Sequence, residues 1–205
     1  DRIRLRRRVG MVFQYPEMQL FEQTVRKDVA FGFKQLGLQQ SECDERVRWA
    51  LRAVGFDPDD VLEKSPLGLS GGEKRRVAIA GVLAVRPEVL ILDEPVAGLD
   101  PKGRAEFMQL LRRLNADGTT IIMVSHNADC LAEFANRIVV MDAGRIVRDA
   151  SPQEAYADVE MLHALGIGAS QARELAWLLA EEGVNVGAPA SYPELFERLT
   201  ALFAG

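Results

Sequence analysis

Two stretches constrain this chain more than any others: Ser70-Gly71-Gly72-Glu73, and the apolar run Val89-Leu90-Ile91-Leu92 that ends in Asp93-Glu94-Pro95. Ser70 followed three residues later by Glu73 is a capping box, the reciprocal side-chain arrangement that starts a helix. Gly71 and Gly72 lie in the first turn, where absent side chains leave amides open to a close-approaching anion. The positive end of the helix dipole is at the same place. The apolar run has the pattern of a strand buried on both faces of a parallel sheet. Its two carboxylates stand at the carboxyl end of that strand, where such folds place ligands. Singly, a capped glycine helix is common, and a strand ending in Asp-Glu is often only the start of a turn. In this order, with a helix between them, the two are far more specific.

Composition narrows the class. The chain has 205 residues, 48% hydrophobic and 27% charged, which supports a core in one domain with room for a small appendage. Its formal charge of -5 argues against a nucleic-acid partner, which selects a basic footprint. Cys43 and Cys130 are far apart with no CxxC or His-rich neighbourhood, so they read as reduced thiols of a cytosolic protein. No apolar stretch approaches the roughly 18 to 20 residues of a membrane helix. Asp1 does not look like a natural start, and the chain is expected to be a fragment.

The remaining pattern alternates strands and helices. Arg2, Arg4, Arg6, Arg7 and Arg8 precede Val9–Phe13, a short buried strand, with Gln14 at its carboxyl end and Tyr15-Pro16-Glu17 as loop. The arginine cluster reads as a solvated helix end, although it could hold phosphates. Phe21 to Leu38 has helical texture, and Ser41 is expected to cap a helix through Val54 that Gly55 closes. Residues 21–86 thus form a largely helical subdomain, ending in a helix from Gly71 to about Arg86. Asp100 caps a helix with Pro101 at its first position, Thr119 to Ser125 is another strand, and His126 follows it. Residues 137–148 read as two strands joined by a short turn containing Gly144. Further capping boxes stand at Ser151–Glu154 and Ser191–Glu194, and the composition after residue 150 shifts to Ala, Leu and Glu. The expected fold is α/β with a parallel sheet and an inserted helical subdomain. Its domains are 1–150, with a small helical extension over 151–205.

The motifs resemble those of the ATP-binding cassette (ABC) ATPases, a P-loop NTPase-like family. Leu69-Ser70-Gly71-Gly72-Glu73 looks like their signature motif, and Val89 to Pro95 like their Walker B strand. The resemblance implies that Asp93 holds magnesium, that Glu94 is the general base for the attacking water, and that His126 is the switch histidine. It implies that Gln14 is the Q-loop glutamine, reaching the magnesium and water and sensing a transmembrane partner. Asp100 resembles the D-loop aspartate, although it is equally explained as an N-cap. Ser70, Gly71, Gly72 and Glu73 are expected to meet ATP in trans, bound to a second ATPase subunit. Val96 departs from the family, which usually has a small hydroxyl residue there, and a buried methyl pair could replace it. No Walker A sequence G-x-x-x-x-G-K-[ST] occurs: Gly32–Gly37 and Gly98–Gly103 match only its glycine spacing. The nucleotide loop is therefore expected upstream of Asp1.

Tyr15-Pro16-Glu17-Met18-Gln19-Leu20-Phe21, Thr24-Val25 and Asp28 to Gly32 narrow the resemblance to energy-coupling factor (ECF) transporter ATPases, the group that includes cobalt and nickel importers. That implies an ATP- and Mg2+-dependent enzyme, peripheral on the cytoplasmic face of the membrane. It would be paired with a second ATPase subunit and bound to an integral membrane coupling protein and a substrate-binding membrane protein. The cargo would be a metal ion (cobalt or nickel) or a vitamin. Two other classes stay open: a soluble ABC ATPase acting on nucleic acid or ribosomes, and a non-catalytic interaction module.

Overall fold

The structure, a computed structural model, describes residues 5, 7–35 and 39–203. The readings placed on Arg2, Arg4, Arg6 and the end of the helix at Leu38 lie outside those residues. The chain divides into two compact units, residues 1–124 and 125–205.

The first unit is built on a parallel sheet of β1 (Val9–Val12), β2 (Val89–Asp93) and β3 (Thr120–Val124), with β2 in the middle. Val12 pairs with Leu92 and Asp93 with Val124, so the strands end together along one edge. Successive side chains alternate between faces. Leu90 and Leu92 are fully buried on one face, while Met11, Ile122 and Val124 on the other are exposed. Full burial of β2 on both faces, expected from its unbroken apolar run, is therefore not what the structure shows. Leu90 and Leu92 are covered, whereas Val89, Ile91 and Asp93 are half-buried.

The segment between β1 and β2 is mostly helical, as its sequence indicates. It holds α1 (Val25–Ala30), α2 (Gln40–Ala53), α3 (Pro58–Val61) and α4 (Gly71–Leu83), with short 3-10 turns at Pro16–Gln19, Phe31–Gln35 and Pro66–Gly68. Thr24 caps α1 by accepting from the Lys27 amide. Ser41 does not cap α2; that helix begins at Gln40, with Gln39 at the N-cap and no side-chain cap bond. Val77, Ile79, Ala80 and Leu83 make the buried side of α4. Close approach is enforced by glycines. A Cβ on Gly10 would lie 2.8 Å from Val82 Cγ1, and one on Gly32 would lie 2.9 Å from Val85 Cγ2. Between β2 and β3 runs α5 (Pro101–Ala116), which buries Phe107, Leu110, Leu111 and Leu114.

The second unit opens with α6 (Ala128–Phe134), capped by Asn127, then β4 (Ile138–Asp142) and β5 (Arg145–Ala150) as an antiparallel hairpin. Ala143 and Gly144 both have positive φ, as a two-residue hairpin turn requires. Then follow α7 (Pro152–Ala155), α8 (Val159–Ala164), α9 (Gln171–Glu181) and α10 (Tyr192–Phe203). Ser151 and Glu154 form the expected capping box. At the third, Glu194 accepts instead from the Ala190 amide. Ile138 and Val140 of the hairpin share one core cluster with Ala155, Tyr156, Val159 and Leu162, so the hairpin packs with the helices beyond residue 150.

Gly10 makes a direct test of the contact between β1 and α4. Gly10→Ala forces a methyl into Val82 and Pro87, and overpacking of this kind costs about 1–3 kcal/mol. A fall in the urea unfolding midpoint with an unchanged slope is the expected result; an unchanged midpoint would mean the contact relaxes freely.

Candidate functional site

The start of α4 is organised by its own side chains. Ser70 Oγ accepts from the Glu73 amide at 3.3 Å, and Glu73 Oε2 accepts from the Ser70 amide at 2.8 Å and from its hydroxyl at 2.7 Å. Those bonds, the hydroxyl's first, hold the Glu73 carboxyl below its usual range. Gly71 and Gly72 follow in the first turn, whose amides have no partner within the helix, and nothing lies within 4 Å of where their Cβ atoms would be. Ser70, Gly71 and Gly72 are all exposed. A tetrahedral anion could approach those two amides along the helix axis.

The second part of the site is the end of β2. Asp93 closes the strand in register with Val124, and the next residue, Glu94, takes a left-handed backbone with φ 45°. Non-glycine residues enter that region at a cost, so it persists only where neighbours fix it. Glu94 N–H donates to Val124 O at 2.9 Å, and Glu94 O accepts from Ala97 N–H at 3.2 Å. Asp93 thus ends on extended strand and Glu94 on a left-handed turn, so the two neighbouring carboxylates rise from different backbone conformations. Pro95 and Val96 are buried beneath this turn. Val96 thus takes a buried place, in keeping with methyls standing in for the family's hydroxyl.

Arg75, five residues into α4, reaches the same turn. Its guanidinium donates to Ala97 O at 2.7 Å, to Glu94 O at 3.3 Å and to Pro95 O. The residue is only 6% exposed. Burial presses its pKa down, and the charges of Glu17 and Tyr15 oppose that.

Gln14 is exposed two residues beyond β1, and the parallel register brings it off the sheet at the edge where Glu94 leaves β2. Tyr15, with φ 55°, then starts the 3-10 turn at Pro16. Asp100 is exposed and caps α5, accepting from the Gly103 amide at 2.9 Å. A Cβ on Gly103 would lie 2.7 Å from that carboxylate, which accounts for the glycine. His126 belongs to the second unit, exposed and one residue before the α6 cap. The sheet therefore brings Gln14, Asp93 and Glu94 to one edge, and Ser70–Glu73 stand at the start of α4. Among the described residues there is no group of three or more His, Cys, Asp or Glu side chains preformed for a metal. A carboxylate at a strand end fits magnesium that arrives with nucleotide phosphates, because that ion takes few protein ligands.

Sequence reasoning missed Arg75 and the role of Asp28. The buried Asp28 carboxylate accepts from the Phe21 and Glu22 amides at 3.3 and 3.1 Å and fixes the chain after the 3-10 turn. Burial raises its pKa against those two bonds. Three basic residues in succession, Lys74-Arg75-Arg76, carried a signal: at 100° per residue they cannot all face solvent on a packed helix.

A parallel sheet whose central strand ends in two adjacent carboxylates, beside a capped glycine helix, is the arrangement of an ABC-type nucleotide-binding fold. Residues 1–97 match the family described as ABC transporter. The chain is 48% identical over 183 residues to the energy-coupling factor transporter ATP-binding protein EcfA2 of Clostridium tetani, covering 89% of this chain and 64% of that protein. To EcfA2 of Lacticaseibacillus paracasei it is 46% identical over 203 residues, covering 98% of this chain and 70% of that protein. Among solved structures, cbiO1 of Clostridium perfringens, part of the ABC transporter complex cbiONQ, matches with a TM-score of 0.67 and 41% identity. That match covers 80% of this chain and 65% of that one. A dimeric ATP-binding cassette in a post-hydrolysis state with ADP and Pi matches with a TM-score of 0.63 and 29% identity, over 73% of this chain and 65% of that one. The chain belongs to the family of energy-coupling factor transporter ATP-binding proteins. It spans slightly under two thirds of the length of several of these relatives.

The cap makes a pH prediction. A carboxyl held below its ordinary value of 4.5 contributes stability that is present above that value and lost as pH falls through the lowered one. Glu73→Gln should therefore unfold at lower urea than the parent at pH 7, and the gap should close as the pH falls through the carboxyl's lowered value. A gap independent of pH would place the loss elsewhere than in this charged cap.

Proposed function

We propose that the intact protein is the ATP-hydrolysing subunit of a membrane importer and couples Mg-ATP turnover to uptake. The observation that carries this reading is the pair of adjacent carboxylates at the end of β2, one on extended strand and one in a left-handed turn. Phosphoryl transfer to water needs little covalent chemistry from a protein; it needs a held metal, a positioned water and dipoles aimed at developing charge. Asp93 and Gln14 would hold Mg2+, which when bound offsets charge on the phosphates. Glu94 accepts the proton of the attacking water, and His126 contacts the terminal phosphate. Ser70, Gly71 and Gly72, with Glu73 fixing the turn, act on the nucleotide bound to a second ATPase subunit. Asp100 serves the same nucleotide site as the D-loop aspartate while capping its helix. Residues 1–150 supply this chemistry, and 151–205 are an extension to it.

The partners follow from the same reading. A groove of about 420 Å3 is lined by Gln19, Leu20, Phe21, Phe31, Gly81 and Val85, among others. Tyr15, Met18 and Phe21 beside it are exposed apolar side chains. It suits a helix laid into an apolar groove, here the cytoplasmic helix of an integral membrane coupling protein. Among the described residues no helix is long and apolar enough to cross a membrane, so the membrane steps fall to that protein and a substrate-binding partner. The cargo is a metal ion such as cobalt or nickel, or a vitamin.

Glu94→Gln in the intact protein should lower ATP turnover by about 10²-fold or more while leaving nucleotide affinity near that of the parent. Equal losses in both would contradict the role given to Glu94. In the assembled transporter, single cysteines at Glu17 or Gln19 should crosslink to the membrane coupling protein; crosslinks found only elsewhere on this chain would reject the groove.

A further inference from the structure

Lys74, Arg75 and Arg76 follow one another on α4, yet they do different things. Arg76 lies with its guanidinium 4.7 Å from the Phe56 ring centroid, and Lys74 is half-buried. Arg75 alone turns fully inward, and its hydrogen bonds all go to main-chain carbonyls, of Glu94, Pro95 and Ala97. A buried guanidinium is expensive to desolvate, and it is usually met by a carboxylate in a two-pronged pair. Glu17 is near enough to act on it electrostatically, but no bond between the two is formed. Donors directed at three carbonyls of one turn define a backbone conformation, not an ion pair.

That conformation is the one Glu94 needs. Its peptide is held on the amide side by Val124 O and on the carbonyl side by Arg75 and Ala97 N–H. Together these keep φ at 45°, outside the basin the residue would choose alone. Without the guanidinium, the Pro95 and Ala97 carbonyls lose the donor it supplies, and Glu94 O keeps the 3.2 Å bond from Ala97. The turn after Glu94 is then held by that one bond, and the backbone that sets the direction of its side chain is less constrained.

We propose that Arg75 is a positioning residue for Glu94: by clamping the carbonyls of Glu94, Pro95 and Ala97 it fixes the direction in which the Glu94 carboxylate leaves β2. This rests on the reading of Glu94 as the group that takes the proton of the attacking water. Because the clamp comes from the helix that begins at Ser70, movement of that helix is transmitted to the turn carrying the base.

The test compares Arg75→Met, Arg75→Lys and the parent in the intact protein. Hydrogen exchange is read at the Ala97 and Leu99 amides, and ATP turnover is read beside it. In Arg75→Met the turn amides should exchange about tenfold faster or more, while those of Leu90–Leu92 keep their parental rates. Turnover should fall roughly 10- to 100-fold with KM for ATP within about twofold. Arg75→Lys, which keeps the charge without the planar fork, should lie between on both readouts and guards against a misfolded Met variant. Unchanged turn exchange would overturn the proposal, whatever the protein hydrolyses. Faster exchange with parental turnover would also overturn it, leaving Arg75 a purely structural residue. A parent whose turnover is indifferent to Glu94→Gln would contradict the ATPase reading instead, and exchange would still decide whether Arg75 holds the turn.

Discussion

The buried Arg75 side chain spends its two terminal nitrogens on the carbonyls of a single turn, while its Nε finds no partner. The rest of the first unit depends on that contact. It makes α4 and the end of β2 one mechanical piece, so the capped glycine turn at Ser70 and the carboxylates at Asp93 and Glu94 are set by the same backbone. At the other end of α4, Gly10 allows β1 to approach Val82 closely. The left-handed backbone at Glu94 is what the arrangement supports, while Asp93 beside it stays on extended strand.

Much of this was legible because the relevant interactions are local. Capping boxes at Ser70 and Ser151, and the N-cap at Asp100, are written in residues three apart and need no tertiary information. The Ala143-Gly144 turn was readable for the same reason. Local reasoning failed where a longer-range partner competed. Glu194 takes the Ala190 amide and a hydrogen bond from Gln153, far away in sequence. Ser41 is passed over because the helix begins one residue before it. The unbroken apolar run of β2 suggested cover on both sides, but a run shows only that no position is polar, not which neighbours exist. Asp28 and Arg75 were invisible as clamps because their partners are backbone groups 6 to 22 residues away, which leave no mark in composition.

The site residues divide similarly. Asp93, Glu94 and Gln14 were placed by strand order, and the parallel register puts all three at one edge. His126 was assigned from the family resemblance, and it lies in the second unit, whose core is formed by the hairpin and the helices that follow it. The family relationship adds the expectation of a nucleotide and a partner subunit. The geometry adds the reason why two adjacent acids can do different work.

That division of work is the central claim, and the metal tests it most directly. Mn2+ can replace Mg2+ as a paramagnetic probe, and electron paramagnetic resonance of the intact protein with ATP counts the bound ions. The account predicts that Asp93→Asn weakens Mn2+ binding by roughly tenfold or more, while Glu94→Gln leaves it within about twofold of the parent. Equal weakening in both variants, or none in Asp93→Asn, would contradict it.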